Sequence, residues 1–354
     1  MRHRTGAYPV VIGPGSRGEL APLLAAQLPD HRPVFIGDDT VTELVPAPLA
    51  AAERLSFPAG EAHKQRSTWA SLTDQLLAHG CGRDTVLIAL GGGVTTDLVG
   101  FVAATFLRGV PWVAMPSTTL AMVDASIGGK TGVDTDRGKN LVGAMHHPVA
   151  VVVDPDLLAT LPERIFREGL AESAKHAVIL DPSHGIWLRE QASQIAARDG
   201  RTLTALIRRS IELKAGVVED DESESGRRAI LNAGHTVAHA IEQASHYRIP
   251  HGEAVAIGLV LETRYAESKG IASEGTAAAV AALLQALGLP TTVPPELPAH
   301  EVMEALQFDK KNRGGVVRAT LLSAFGAVAR DDERWTIALD LPILKGLLEE
   351  RQAA

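Results

Sequence analysis

The stretch 84–109, DTVLIALGGGVTTDLVGFVAATFLRG, decides the fold class. A short run of aliphatic residues leads into three glycines, and the segment that follows is predicted to be a helix. Adjacent glycines let the backbone approach a pyrophosphate closely, and the start of a helix offers free N–H groups to it. The pattern is not GxGxxG, so a tight turn that packs a strand against a helix explains it about equally well.

More strands of the same kind surround this stretch, and helical segments lie between them. They are RPVFIGDD at 32–39, VPWVAMPST at 110–118 and VAVVVDPDLL at 149–158. Strands that alternate with helices predict a parallel α/β sheet. Asp38 ends one of these strands, where it can accept ribose hydroxyls, although a solvated turn aspartate is a slightly better explanation of this residue alone. Together, the glycine turn and Asp38 favour a bound dinucleotide.

The chain changes character after about residue 161, where the strand pattern largely stops. Apolar residues then recur at spacings of three and four, which predicts helices at 161–180, 203–221, 235–246 and 252–270. Gly270 is well placed to end the last of these. We therefore expect an α/β domain over residues 1–160 and a mainly α-helical domain over residues 161–354.

Composition limits the classes of function. The chain has 354 residues and a net charge of −8, which argues against nucleic acid as a partner. Local lysines can still bind a small anion. A single cysteine, Cys81, excludes an internal disulfide and predicts a cytoplasmic protein. The first residues do not resemble a signal peptide. The sequence contains no run of about 18 apolar residues, so we expect no contact with a membrane.

A cluster of polar residues lies among five glycines in MVDASIGGKTGVDTDRGKNLVGAMHHP, residues 122–148. It contains Asp124, Lys130, Lys139 and Asn140. Lysines in a glycine-rich loop suit an anionic ligand, because the backbone comes close and the ammonium is a mobile point charge. The alternative is a flexible solvated loop, which we disfavour because ordering so much glycine without a function would be costly.

Several charged residues of the helical half lie close together in sequence. Glu172 and Lys175 are three residues apart, so they share one helix face, although a surface salt bridge is the favoured interpretation of that pair alone. Lys214, Arg228 and Asn232 flank an acidic segment, VEDDESES at 218–225.

Two histidines at helical spacing follow directly. His235 and His239 are four residues apart in LNAGHTVAHAIEQ, a usual way for a helix to bind a divalent metal. Thr236 stands where a zinc protease helix has its glutamate, so this is not such a helix. A third ligand must come from elsewhere, and His251 and Glu172 are candidates. Any one of these histidines alone is better explained as a core or capping residue.

These segments together resemble the dehydroquinate synthase family, in order and over nearly the whole chain. The resemblance rests on GGGVTTDLVGFVAATFLRG at 91–109, PSTTLAMVDASIGGKTGVDTDRGKNLVGA at 116–144, GLAESAKHAVI at 169–179, ELKAGVVEDDE at 212–222, LNAGHTVAHAIE at 231–242 and PHGEAVAIG at 250–258. The family belongs to the sugar-phosphate cyclases. The resemblance implies an α/β fold with a Rossmann-like N-terminal domain and a mainly α-helical C-terminal domain.

The resemblance also implies site residues. A divalent metal, zinc or cobalt, would be held by Glu172, His235 and His251, and His239 would instead contact substrate and assist proton transfer. Positions that match substrate contacts are Asp124, Lys130, Asn140, Lys175, Lys214, Arg228, Asn232 and Lys310. Positions that match NAD contacts are Asp38, Glu61, Lys64, Gly92, Gly93, Val94, Asp97, Ser117 and Thr118, and Lys139 matches a lysine near the cofactor or the substrate.

The sequence departs from the family pattern at a few places. Thr40 stands where asparagine is common, Ser117 replaces a threonine, and AMHHP at 144–148 replaces a pattern with phenylalanine. These changes concern cofactor affinity and loop packing rather than reaction type. Four positions that match substrate contacts keep the family pattern, namely Lys214, Arg228, Asn232 and His239. Their agreement favours the family's own substrate.

The implied reaction converts 3-deoxy-D-arabino-heptulosonate 7-phosphate to 3-dehydroquinate and phosphate, as in the shikimate pathway. It proceeds by transient oxidation with NAD, phosphate elimination, reduction and intramolecular aldol closure. The family implies a homodimer. The alternatives are another sugar-phosphate cyclase of natural-product biosynthesis, an NAD-dependent polyol dehydrogenase, and a non-catalytic NAD-binding module. The last is disfavoured because the metal and lysine positions are all kept.

Overall fold

The computed structural model describes residues 1–4, 6–136, 138–308 and 316–350. The chain divides into two compact units. One unit comprises Met1–Pro162 with Leu203–Ile211, and the other comprises Glu163–Thr202 with Glu212–Ala354.

The first unit alternates strands and helices along the chain. Its strands are β1 Arg2–His3, β2 Gly6–Ala7, β3 Val10–Ile12, β4 Arg32–Asp38, β5 Glu53–Phe57, β6 Thr85–Gly91, β7 Trp112–Pro116, β8 Lys130–Thr135, β9 Gly138–Met145 and β10 Ala150–Val153. Its helices are α1 Leu20–Gln27, α2 Arg66–Ala78 and α3 Gly93–Thr105.

A parallel sheet forms the core of this unit, with its described strands in the order β3-β10-β7-β6-β4-β5. All seven residues of β6 are buried, as expected for a central parallel strand covered on both faces. From β4 the chain passes to β5 on one side and then to β6 on the other. This reversal opens a crevice at the carboxyl ends of β4 and β6, where such sheets bind ligands. The predicted α/β class is confirmed.

The glycine-rich stretch after β7 is not the loop that the sequence predicted. Strands β8 and β9 form an antiparallel hairpin, with Gly132 opposite Gly143. A Cβ on Gly143 would lie 2.1 Å from the carbonyl oxygen of Thr131, and one on Gly132 would lie 2.8 Å from that of Val142. These glycines therefore let the two backbones approach each other, a role that composition alone did not reveal.

The second unit is mainly helical. Its helices are α4 Glu163–Glu168, α5 Leu170–Leu180, α6 Pro182–Glu190, α7 Ala192–Ala196, α8 Gly200–Asp220, whose residues 203–211 belong to the first unit, α9 His235–Ala244, α10 His251–Ser268, α11 Thr276–Ala286, α12 Ala299–Phe308 and α13 Leu341–Glu350. Its strands are β11 Arg318–Ala319, β12 Leu322–Ala324, β13 Ala327–Val328 and β14 Ile337–Ala338.

The predicted helices are confirmed, with one refinement. The segment 161–180 is two helices, α4 and α5, which meet at Gly169. Gly270 follows the end of α10 with a φ of 66°, a left-handed conformation that ends helices and favours glycine. Within the described residues, none of the helices combines the length and apolar character needed to cross a membrane.

Candidate active site

The predicted cofactor positions of the first unit gather at one edge of the parallel sheet. Asp38 ends β4, and Glu61 and Lys64 follow β5. The glycine turn follows β6, and Ser117 follows β7, with its N–H donating to the carbonyl oxygen of Gly91 at 2.8 Å. These four strands are neighbours and run parallel, so the residues after them share the carboxyl edge.

The glycine turn is a tight packing turn, and its geometry is also compatible with the pyrophosphate site considered from sequence. A Cβ on Gly91 would lie 2.3 Å from Oγ1 of Thr95, and one on Gly92 would lie 3.0 Å from Cγ2 of Thr118, so tight packing requires small residues here. Helix α3 also begins here, with Gly92 as its N-cap and Gly93 and Val94 as its first residues. The first N–H groups of a helix lack partners within it, so this end can also receive a phosphate.

Lys64 and Asp97 form a nearly buried ion pair beside this turn. Lys64 is 4% exposed, and its Nζ lies 2.6 Å from Oδ2 of Asp97 on α3. Burial alone would lower the pKa of Lys64, but the negative charges of Asp97 and Glu61 outweigh it and raise that pKa. Glu61 also lies 3.4 Å from Nζ of Lys139. These four predicted positions thus form one connected network of charges.

Asp134 ties this network to the hairpin, a role that sequence reasoning missed. Its N–H donates to the carbonyl oxygen of Lys64 at 2.7 Å, and its Oδ1 accepts the N–H of Asn140 at 2.7 Å. Asn140 has a φ of 53°, a strained conformation that this bond stabilises. Burial raises the pKa of Asp134, although the positive charge of Lys64 opposes that shift. The signal in the sequence was that Asp134, a polar residue, lies six residues before Asn140 in the same glycine-rich stretch.

The other two predicted residues of this cluster lie nearby along the chain. Lys130 is the first residue of β8 and is exposed. Asp124 is half-buried in a single π-helical turn, Ala121–Ala125. Such turns are rare and are frequently found at functional sites. Lys310 lies outside the described residues.

In the second unit, three predicted metal ligands converge from three helices. Glu172 lies in the first turn of α5, His235 is the first residue of α9, and His251 is the first residue of α10. Oε1 of Glu172 lies 3.6 Å from Nε2 of His235 and 3.4 Å from Nε2 of His251. One potential ligand atom from each residue lies within 4.8 Å of the other two. Glu172 is 1% exposed, so a buried carboxylate faces two imidazoles.

Both imidazoles are oriented by groups behind them. Nδ1 of His235 lies 3.1 Å from the carbonyl oxygen of Ala233, and Nδ1 of His251 lies 3.3 Å from Oε2 of Glu242. When Nδ1 donates to these oxygens, Nε2 is left free to bind a cation. Two histidines and one carboxylate form the ligand set of many catalytic zinc sites. The residues therefore fit a divalent metal. Glu242 was missed, although it lies seven residues after His235 on the same helix face.

The charges around the two histidines differ. Burial, together with the positive charge of Lys175, lowers the pKa of His235 well below its ordinary value. Burial would also lower the pKa of His251, but hydrogen bonds to Glu172 and Glu242 outweigh it and raise that pKa to about 10. The raised pKa means that the protonated form of His251 is favoured between the two carboxylates. A divalent cation would take the place of that proton.

His239 is close to this group but is not one of the three converging ligands. Its ring lies edge-on to that of His235, with centroids 5.5 Å apart, and 6.4 Å from that of His251. Among the described residues, the group of possible metal ligands that contains His235 also contains Glu172 and His251, but not His239. The hypothesis of a metal pair at His235 and His239, which helical spacing allowed, is therefore not supported by the geometry.

Two predicted lysines of the second unit are buried, and one of them contacts a ligand. Lys175 forms an ion pair with Glu172 one turn away, and both side chains are almost fully buried. The two residues do form a salt bridge, but the interpretation that it lies at the surface is wrong, because α5 lies in the core of its unit. Lys214 is 6% exposed on α8. Ionisable side chains that are buried in this way are often found at functional sites.

Arg228 and Asn232 are held by the acidic segment that precedes them. They belong to a 3-10 helix, Arg227–Asn232. Nη1 of Arg228 donates to the carbonyl oxygen of Glu222 at 2.7 Å, and Nδ2 of Asn232 donates to Oε1 of Glu224 at 2.8 Å. The carboxylate of Asp221 accepts backbone N–H groups of Ser225, Gly226 and Arg228. The acidic segment therefore shapes the turn that presents these two side chains.

Comparison with known proteins identifies the family. Residues 54–168 match the family described as 3-dehydroquinate synthase N-terminal, and residues 169–312 match 3-dehydroquinate synthase C-terminal. The 3-dehydroquinate synthase of Pelobacter propionicus is 48% identical over 263 residues, which cover 74% of this chain and 73% of that protein. The chain belongs to the 3-dehydroquinate synthase family. The enzyme of Halorhodospira halophila is 42% identical over 90% of this chain and 91% of its own.

Solved structures agree with membership of the 3-dehydroquinate synthase family. A 2-deoxy-scyllo-inosose synthase complexed with carbaglucose-6-phosphate, NAD+ and Co2+ has a TM-score of 0.88 at 25% identity, over 97% of this chain and 96% of its own. A 2-epi-5-epi-valiolone synthase from Streptomyces hygroscopicus, with NAD+ and Zn2+ bound, has a TM-score of 0.86 at 28% identity, over 100% of this chain and 98% of its own. The predicted enzyme class, a phosphate-eliminating lyase of the 3-dehydroquinate synthase family, is confirmed.

Proposed function

We propose that this chain converts 3-deoxy-D-arabino-heptulosonate 7-phosphate to 3-dehydroquinate and phosphate with the residues described above. The observation that carries the proposal is the group of two histidines and a buried glutamate, with Lys175 paired to that glutamate. A metal ligand set beside buried cations suits a substrate that has both hydroxyls and anionic groups. Relatives named 3-dehydroquinate synthase support the choice of substrate.

The two units divide the work in this proposal. Residues 1–160 form an NAD-binding domain, and residues 161–354 bind metal and substrate. The cofactor positions at the carboxyl edge of the sheet support the first assignment, because parallel sheets bind dinucleotides there. When bound, the dinucleotide supplies an acceptor that takes a hydride and returns it within one turnover. Asp38 is proposed to accept ribose hydroxyls, and the start of α3 is proposed to receive the pyrophosphate.

Glu172, His235 and His251 are proposed to hold a divalent metal, zinc or cobalt. When bound, such a metal holds substrate hydroxyls and lowers the pKa of the one that is oxidised. The carbonyl oxygen of Ala233 and the carboxylate of Glu242 keep both imidazoles with Nε2 directed toward Glu172. The structures of related cyclases that contain Co2+ or Zn2+ support this metal.

The remaining predicted residues orient the substrate and move protons. Cationic and amide side chains are proposed to bind its carboxylate, phosphate and hydroxyls, namely Lys130, Asn140, Lys175, Lys214, Arg228, Asn232 and Lys310, with Asp124 beside them. The ring nitrogens of His239 are proposed to exchange protons with the substrate hydroxyls, because the ring lies next to two ligand rings without joining them. The departing phosphate can itself accept the proton removed from carbon.

The direct test measures phosphate release from the heptulosonate phosphate with catalytic amounts of NAD+, with and without added Zn2+ or Co2+. We expect phosphate release that depends on the metal and no net accumulation of NADH. A polyol dehydrogenase would accumulate NADH, and another cyclase would prefer a different sugar phosphate in a substrate panel. Either outcome would contradict the proposal.

Lys175→Ala is expected to weaken substrate binding more than it slows chemistry. A charged hydrogen bond contributes about 1.5–3 kcal/mol, so KM for the heptulosonate phosphate should rise about 10- to 100-fold. Steady-state kinetics at saturating NAD+ and metal measures this. Lys345→Ala, on the exposed face of α13, is the control and should leave KM unchanged. A fall in kcat at constant KM would show instead that Lys175 acts mainly in the transition state.

We also propose a cytoplasmic homodimer. Strand β9 is paired on one side with β8, and it exposes Leu141, Val142 and Met145, which are 36–47% accessible. An exposed apolar strand edge is a common surface for association with a second copy. The single cysteine, which is buried, supports the cytoplasm. Light scattering of the wild-type chain and of Leu141→Lys tests the dimer.

A further inference from the structure

Glu262 is a buried carboxylate on α10 that contacts the start of α9. The residue is 2% exposed. Its Oε2 accepts the N–H of Gly234 at 2.7 Å, and its Oε1 accepts the N–H of Val237 at 2.9 Å. Both oxygens thus accept backbone N–H groups at the positive end of a helix, where a negative charge is favourable.

These are the two N–H groups that a local capping box would normally satisfy. In that motif the N-cap side chain accepts the N–H of the third helical residue, and the side chain of that residue accepts the N–H of the N-cap. Here the N-cap is Gly234 and the third residue is Val237, and neither side chain can accept a hydrogen bond. Glu262 therefore performs both functions from a different helix.

The close approach of α10 explains why α9 has no cap of its own. Gly234 has a φ of 77°, and a Cβ there would lie 2.7 Å from Cγ of Leu259. A serine or aspartate, the usual N-cap residues, would not fit at this position. Helix α10 thus excludes a local cap and, one turn after Leu259, provides Glu262 in its place.

The capped turn contains the proposed metal ligand His235. Glu262 fixes the backbone on both sides of this residue, at Gly234 and at Val237. The carbonyl oxygen of Ala233, one residue earlier, orients Nδ1 of His235. We infer that Glu262 is a positioning residue for His235, which fixes the direction of Nε2 toward Glu172 by immobilising the first turn of α9. This inference rests on the proposed metal site.

The chain offers a matched control for a merely structural role. Glu267, also on α10, accepts the N–H of Ala277 in the first turn of α11 at 2.9 Å. The N-cap of α11 is again a glycine, Gly275, with a φ of 84°. Helix α11 carries none of the proposed ligands. Glu267→Ala therefore removes a similar cap from α10 onto a neighbouring helix without affecting the metal site.

The experiment measures Zn2+ affinity of the full-length, metal-free chain by competition with a chromophoric chelator. Loss of a group that orients a metal ligand typically weakens affinity about 10- to 100-fold, and we expect this for Glu262→Ala. Glu262→Gln keeps one acceptor oxygen, so its Zn2+ affinity should lie between that of Glu262→Ala and that of wild type. Glu267→Ala should bind Zn2+ like wild type, even if its thermal midpoint falls.

A second measurement keeps the test decisive if Glu262→Ala does not fold. Amide hydrogen exchange of the segment 233–239 in metal-free Glu262→Gln should be faster than in wild type, with a weaker Zn2+ affinity. The inference is overturned if Glu262→Gln exchanges and binds Zn2+ like wild type, or if Glu267→Ala weakens binding equally. If wild type itself binds no Zn2+, the proposed metal site fails instead, so the two failures are distinguishable.

Discussion

His235→Ala is expected to purify without bound metal and to lose at least about three orders of magnitude in turnover, equivalent to about 4 kcal/mol of transition-state stabilisation. The remaining ligands are Glu172 and His251, with Oε1 of the first 3.4 Å from Nε2 of the second. Without His235, we expect these two residues to form an ion pair rather than a metal site. Metal content by elemental analysis and phosphate release measure the two effects separately.

The control for this prediction is His300→Ala, which removes an exposed histidine in the first turn of α12. It should keep both metal and activity. Thermal unfolding should show that His235→Ala is folded, because the ring, which is 12% exposed, lies at the start of α9 and is not part of the apolar core. A His235→Ala protein that retains metal and full activity would overturn the ligand assignment.

Sequence patterns predicted the strands and helices that are determined by the residues within each segment. The aliphatic runs of β4, β6, β7 and β10 identified a parallel sheet, since central strands are buried on both faces. Apolar spacing identified the long helices, and glycine at 270 identified a helix end. Spacing alone did not decide which histidines bind the metal. The family resemblance assigned His251 to the metal and His239 to the substrate.

Contacts between residues of different secondary-structure elements were not predictable in this way. Glu242, Glu262 and Asp134 each act on a residue that another element brings close, so sequence spacing carries little information about them. The glycines of β8 and β9 were attributed to a loop, because their role depends on which strand lies opposite. Glycine reports a close approach of backbone, but only the fold shows what approaches.

The crossing of α9 and α10 gives the second large prediction, at Gly258. A Cβ there would lie 2.1 Å from the carbonyl oxygen of Gly234 and 3.1 Å from the N of Ala238. That carbonyl oxygen accepts the N–H of Ala238 in the first turn of α9, at 3.0 Å. Both contacts are backbone atoms, so the two helices must separate to admit a methyl group. His235 begins α9 and His251 begins α10, so the separation would also disturb the proposed metal site.

Gly258→Ala is therefore expected to lower the free energy of unfolding by about 2 kcal/mol, since overpacking costs about 3 kcal/mol and alanine regains about 1 kcal/mol of helix propensity. Gly216→Ala is the matched control, because Gly216 also lies inside a helix, α8, but has open space around its Cβ position. Propensity alone acts there, so that variant should be more stable by up to about 1 kcal/mol. Urea unfolding and Zn2+ affinity measure the outcome. Equal stabilisation of both variants would show that the helices separate at little cost, and that the crossing does not constrain the ligands.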